Sequence, residues 1–168
     1  MVFNLLGYFA DNFGDDYIMK IIVNSLSDME FVIDEEQNVS NLILSEKNVR
    51  LGAKAEIDSL LKLSVTGSGF MINNKKALIS AFKRHLKKEW LSDYCLGCNT
   101  EPIKSRFGRF LIKKRLENFK LIVCRDKKSY RWLKENIKTK IEIVCAEQYY
   151  KLSPKIFNNI RLNPASLA

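Results

Sequence analysis

Short apolar runs alternate with helix-patterned segments along this chain, and that alternation limits its fold more than any other feature. Residues 2–7, VFNLLG, are an apolar run ending in glycine and read as a buried strand. After the loop YFADNFGDD, the residues Tyr17, Ile18, Ile21, Ile22 and Leu26 recur at helical spacing. The runs at 29–34 (MEFVID) and 41–46 (NLILSE), separated by the acidic turn EEQN, read as two further strands. Residues 53–61 read as a short helix and 63–66 as a strand stopping at Gly67, Ser68 and Gly69. A helix over 75–90 places Leu78, Ala81, Phe82 and Leu86 on a buried face and Lys76, Lys83, Arg84 and Lys87 on a solvated one. A strand at 94–97, a basic helix at 105–119, a strand at 121–124, a helix at 126–137 with Tyr130, Leu133 and Ile137 on one face, and a strand at 141–145 complete the series. The expected fold is α/β, a Rossmann-like and mainly parallel sheet with helices on both faces. At 168 residues the chain suits one domain, taken as 1–150 with 151–168 as a tail.

In such sheets ligands bind outside the carboxyl ends of the strands, which nominates the loops at 7–16, 67–74 and 97–104, and Arg125 with Asp126. The first has only Gly7 and Gly14 where a dinucleotide loop needs G-x-G-x-x-G, and it carries Asp11, Asp15 and Asp16. Those acids compete for the N–H donors an anion would use, so a bound pyrophosphate is not expected. Asp15 reads as a helix N-cap and Asp16 as a partner of the helix dipole. Together with Asn12 they also offer acceptors to hydroxyl groups, as in a sugar. In TGSGF, Gly67 and Gly69 permit close approach of backbone to a ligand. Asp126 is placed to cap its helix, leaving Arg125 to face the cleft or pair with an acid.

Cys95 and Cys98 form a C-x-x-C, but a closed zinc site needs four converging ligands, and no second pair or nearby histidine accompanies them. With Cys124 and Cys145 they read as reduced, structural thiols, and neither a metal nor a cofactor is expected. The one histidine, His85, borders the apolar face of its helix, where a catalytic role is not expected. In KSRFGRFLIKKRL, Arg106, Arg109 and Lys113 share a stripe while Phe107, Phe110 and Leu111 are the expected anchor. No nucleic-acid-binding signature accompanies this helix, and that partner class is set aside. Residues 1–70 hold 5 basic against 11 acidic side chains and residues 71–168 hold 23 against 8, so the net charge of +9 lies in the second part. That asymmetry suits an anionic partner, whether acidic lipid or a phosphorylated substrate. Without a basic start or an uninterrupted run of about 18 apolar residues, the chain reads as cytoplasmic, with peripheral contact at the inner face of the membrane.

GYFADNFGDDYI, VTGSGF and PIKSRFGRFLIKKRLENFKLIVCRDKKSYRWLKE together resemble the polysaccharide pyruvyl transferase family. The last is the most telling, with a P-x-x-S turn, a basic helix, a strand and an R-D-x-x-S helix start in the family's order. The resemblance covers residues 7 to about 145. It implies a two-domain, GT-B-like transferase of which this sequence supplies the N-terminal half, the histidine general acid and the donor-gripping arginines belonging to the other. Cys145 is followed by Ala146 and Glu147, so the acid expected after that strand looks displaced.

The function implied is transfer of pyruvate from phosphoenolpyruvate to a sugar of a bacterial surface glycan, exopolysaccharide or capsule, as a ketal. The acceptor-side candidates are Asn12, Asp15, Asp16, Gly67, Ser68 and Gly69; the donor or phosphate candidates are Lys104, Arg106 and Arg125. No residue is assigned as catalytic. Partners implied are a glycan acceptor, lipid-linked in one version, and a second chain supplying the other half. Two alternatives stand beside it, a non-enzymatic glycan-binding or partner-dependent half-module and a sugar-nucleotide glycosyltransferase half.

Overall fold

A computed structural model describes residues 1–7, 9, 13–65, 72, 74–87, 92–100, 103–136 and 142–145. The tail expected from residue 151, and Glu147, lie outside the described residues. Strands β1 (Val2–Leu6), β2 (Glu30–Asp34), β3 (Val49–Gly52), β4 (Leu61–Val65), β5 (Tyr94–Cys98), β6 (Leu121–Cys124) and β7 (Glu142–Cys145) form one sheet. Its order is β3-β2-β1-β4-β5-β6-β7 and every neighbouring pair is parallel. Among the described residues six helices occupy the crossovers: α1 (Phe13–Ser25), α2 (Asn41–Leu44), α3 (Lys54–Ile57), α4 (Lys75–Lys87), α5 (Arg106–Leu116) and α6 (Lys127–Asn136). The alternation thus gives the expected Rossmann-like α/β fold.

Period-two alternation splits the strand side chains between two cores. Phe3, Leu5, Phe31, Ile33, Leu63, Val65, Tyr94, Leu96, Leu121 and Val123 join Met19, Ile22 and Val23 of α1 on one face. Phe3 stacks on Phe31 at 6.2 Å and meets Tyr94 edge-on at 5.8 Å, linking three strands through one ring. On the other face Cys95, Cys98, Ile122 and Cys124 pack with Ile112, Leu116 and Leu133 of α5 and α6.

Residues 41–46, expected as a strand, instead contain helix α2, and the strand falls at Val49–Gly52. A short apolar run such as NLIL cannot be told from a buried helical turn by periodicity. Parallel neighbours, moreover, need a connection of about a dozen residues or more, which EEQN cannot supply. β3 escapes notice because it is an edge strand with Arg50 and Leu51 exposed. Arg50 ties it to β2 and α3 through Glu30 (2.6 Å) and Glu56, and this contact pulls the Glu56 carboxyl below its ordinary range.

Three helix faces also differ from expectation. α1 buries Asp16, Met19, Ile22 and Val23, leaving Tyr17 exposed and stacked on Phe13. Among the described side chains of α4 only Ala81 is buried, while Phe82 and Leu86 stand in solvent. α5 anchors through Leu111, Ile112 and Leu116, with Phe107 and Phe110 outside. Leu133 of α6 is buried and Tyr130 half-buried, as expected; Ile137 lies outside the described residues.

The turn closing α1 depends on a residue just before β3. Asn48 Nδ2 donates toward the carbonyls of Val23 (3.1 Å), Leu26 (3.4 Å) and Met29 (3.1 Å). Asn48→Ala removes that donor and is expected to lower stability by about 1–3 kcal/mol in urea unfolding. Asn48→Asp, which sets a carboxylate against three carbonyls, is expected to lower it further; equal midpoints for the two variants would count against this role.

Candidate functional site

The chain runs outward from β1 through β2 to β3, then returns to β4 on the other side of β1, so the topological switch lies between β1 and β4. Ligands of open α/β sheets sit at this point, beyond the carboxyl ends. The first turn of α1 stands there. A Cβ at Gly7, the residue after β1, would collide with Met19 Cε and lie 3.6 Å from the Val65 carbonyl, so α1 packs tightly against both strand ends. One helical turn before Met19 is Asp16, only 4% exposed, whose Oδ1 accepts no hydrogen bond. Asp15, half-buried, is the third residue of α1 and not its N-cap, because the helix begins at Phe13. Both carboxylates fall in the first turn, where the helix dipole favours negative charge. Asn12, Gly67, Ser68 and Gly69 lie outside the described residues.

The other end of the same edge is built on β5 and β6. Arg125 N donates to the Cys98 carbonyl (2.9 Å), joining the two strand exits. Asp126 caps α6 as expected, its Oδ1 accepting from Ser129 N and its Oδ2 from Ser129 Oγ, both at 2.7 Å. Ser129 Oγ also accepts from Thr100 N at 2.8 Å. The R-D-x-x-S start is therefore a brace between the β5 exit and α6, with the Arg125 side chain exposed beyond it. Ser105 caps α5 by accepting from Gly108 N (3.2 Å), and Arg109 turns back to donate to the Ile103 carbonyl (3.0 Å). Lys104, Arg106 and Arg125 are all exposed around these two helix starts. The structure thus gathers the three donor candidates at one end of the edge and the two described acids at the switch point.

A bulge shapes the cationic end, and the C-x-x-C spacing alone does not reveal it. The β5–β6 register shifts between Leu96 and Cys98, where Gly97 takes φ 80°. The extra residue turns Cys98 to the face of Cys95, bringing its Sγ to 4.0 Å from that of Cys124. All three thiols are fully buried, and the side chain of Cys145 lies outside the described residues. The neighbouring thiols of Cys124 and Cys95, with burial, push Cys98 well above its ordinary pKa.

A cleft of about 500 Å³ opens on the α3 side of β1, reaching Gly7 and Asp34 at the carboxyl ends. It exists because α3 has four residues, about 6 Å of helix, too little to cover two strands. Its floor is Asn4, 4% exposed, which donates toward the Ile57 carbonyl at 3.4 Å and whose Oδ1 accepts no hydrogen bond. Asp34, Asp58, Lys54 and Lys62 rim it. Mixed acceptors and donors around an unpaired amide oxygen suit a neutral, hydroxyl-rich ligand better than an ion of either sign. Nothing in the sequence marks Asn4 except a polar residue inside an apolar strand.

The sequence profile described as polysaccharide pyruvyl transferase matches residues 12–145. The chain belongs to that family. Its match runs from the loop before α1 to the end of β7, so it takes in both ends of the carboxyl edge. No curated protein and no solved structure matches the chain. For this pyruvyl transferase family member the brace at Asp126 and Ser129 accounts for the R-D-x-x-S motif structurally, and Arg125 remains with its side chain toward solvent.

Two outcomes test the architecture of this edge. Gly97→Ala forces a left-handed φ on a residue with a Cβ and is expected to lower stability by about 1–2 kcal/mol in thermal or chemical unfolding. Cys95, Cys98 and Cys124 should resist iodoacetamide at pH 8 in the folded chain and react after denaturation, as read by peptide mass mapping. Because Cys98 holds its proton more tightly when folded, its stabilisation is complete below the unfolded thiol value. It is then lost as pH rises above about 8.5 toward the folded value, so alkaline pH should lower the melting temperature.

Proposed function

We propose that this chain binds the two substrates of pyruvyl transfer along one sheet edge, the sugar acceptor at the switch point and phosphoenolpyruvate at the cationic end. The observation that carries this reading is the separation of charge: buried Asp16, with an oxygen that accepts no hydrogen bond, stands apart from exposed Lys104, Arg106 and Arg125. A sugar hydroxyl donates to a carboxylate, whereas the carboxylate and phosphate of the donor need cations and the N–H groups of helix starts. The Asn4 cleft, continuous with the edge at Gly7, extends the acceptor side.

In the reaction, two hydroxyl oxygens of the sugar form bonds to C2 of phosphoenolpyruvate, and the C2–O bond to phosphate breaks. The methylene carbon takes a proton and becomes a methyl group, while the second hydroxyl proton leaves with phosphate or solvent. Asp16 is suited to orient a hydroxyl and the arginines to hold the departing phosphate. The proton donor to carbon is assigned to the second half of the cleft that the family resemblance implies, in the same or a partner chain. The glycan is that of a bacterial surface polymer.

Calorimetric titration with phosphoenolpyruvate at low salt tests the donor side. Arg125→Ala retains the residue 125 backbone bond to Cys98, so the fold should survive while affinity falls about tenfold or more. Asp16→Asn should leave donor affinity unchanged and reduce binding of acceptor saccharide. Donor binding that ignores Arg125, or is absent from the folded chain, would move the donor grip elsewhere and favour a glycan-binding half-module.

A further inference from the structure

The whole net positive charge of the chain sits on two adjacent helices. α4 and α5 carry five Lys or Arg each and no Asp or Glu, leaving 18 basic and 19 acidic residues elsewhere. The two helices pack side by side. Between their cations runs a ribbon of apolar side chains in solvent: Ile79 55% exposed, Phe82 39%, Leu86 65%, Phe107 46% and Phe110 49%. Phe107 joins the two helices, its ring 5.6 Å from Phe82 and 6.5 Å from Phe110. These five are more than half of the large exposed apolar side chains among the described residues.

We infer that this ribbon docks the protein on an anionic lipid bilayer, the aromatic and aliphatic tips entering the headgroup boundary while Lys76, Lys83, Arg84 and Lys114 meet acidic headgroups. Apolar residues flanked by Lys and Arg are the pattern of a helix lying in the interface. Charge complementarity selects this occupant. A second copy of the chain would set cations against cations. Nucleic acid would satisfy the cations and stack on the phenylalanines, but it has no use for Ile79 and Leu86. Both helices begin at the carboxyl edge, α4 after β4 and α5 after β5, so docking along them brings that edge to the membrane surface, within reach of a glycan on a lipid carrier. Among the described residues no helix is long and apolar enough to cross a membrane, which fits contact by surface docking. The inference does not depend on the donor and acceptor assignments.

Co-sedimentation of the full chain with vesicles of 30% phosphatidylglycerol in phosphatidylcholine, against phosphatidylcholine alone, tests it. The expected result is partition into the anionic vesicles only, weakening between 50 and 300 mM salt on the scale set by screening. F107S with F110S, both at exposed positions, should lose about tenfold or more in partition at an unchanged melting temperature. K76Q and K83Q should each lose about fivefold. Absence of partition, or partition indifferent to F107S/F110S, would overturn the inference. So would a dimer dissolved by that double variant, or displacement from vesicles by a short oligonucleotide at equal charge.

Discussion

Everything in this molecule depends on parallel pairing of strands. A parallel pair cannot be closed by a tight turn, so each of the seven described strands is followed or preceded by a crossover that must pack on one face. Right-handed crossovers then decide which helix lies where: those moving outward from β1 cover one face, and those after the return to β4 cover the other. The ladder hydrogen bonds satisfy the buried backbone, and the two cores made by alternating side chains supply the burial that holds the layers. The crevice beyond the carboxyl ends of β1 and β4 is a consequence of that reversal, and the candidate site with its buried Asp16 stands there.

The edge is chemically divided because its two ends are made by different parts of the chain. The acidic first part supplies α1 and its carboxylates; the basic second part supplies α5, α6 and their exposed cations. The brace linking Arg125, Asp126 and Ser129 to Cys98 and Thr100 holds the cationic end in register with the strands beneath it. Rigid support of this kind lets exposed side chains be presented at fixed positions, a requirement for orienting two substrates against each other. Membership of the polysaccharide pyruvyl transferase family, carried by a match over residues 12–145, fits the proposal that this edge handles a sugar and an anion side by side.

Elements with strong local signals were legible in the sequence, and the errors have physical causes. β1, β2, β5 and β6 are apolar runs whose type is set by their own residues, and Asp126 is a cap that acts on its own helix within three residues. NLIL was ambiguous because four apolar residues fit a turn of helix as well as a strand. β3 was hidden because an edge strand needs only half the apolar content of a central one. The phenylalanines of α5 misled for a different reason: hydrophobicity marks a residue as able to be buried, and among the described residues no layer covers Phe107 and Phe110.

By itself the sequence determined the α/β alternation, the Asp126 cap and the placing of charge along the chain, since each follows from residues within a turn or two of one another. Tertiary structure alone decided the strand order, the bulge at Gly97 that gathers three thiols, the burial of Asp16 and Asn4, and the aromatic ribbon between α4 and α5. Those features arise where segments distant in sequence meet. Which face a helix turns inward, and which polar atom is sealed from water, are settled by what packs against them.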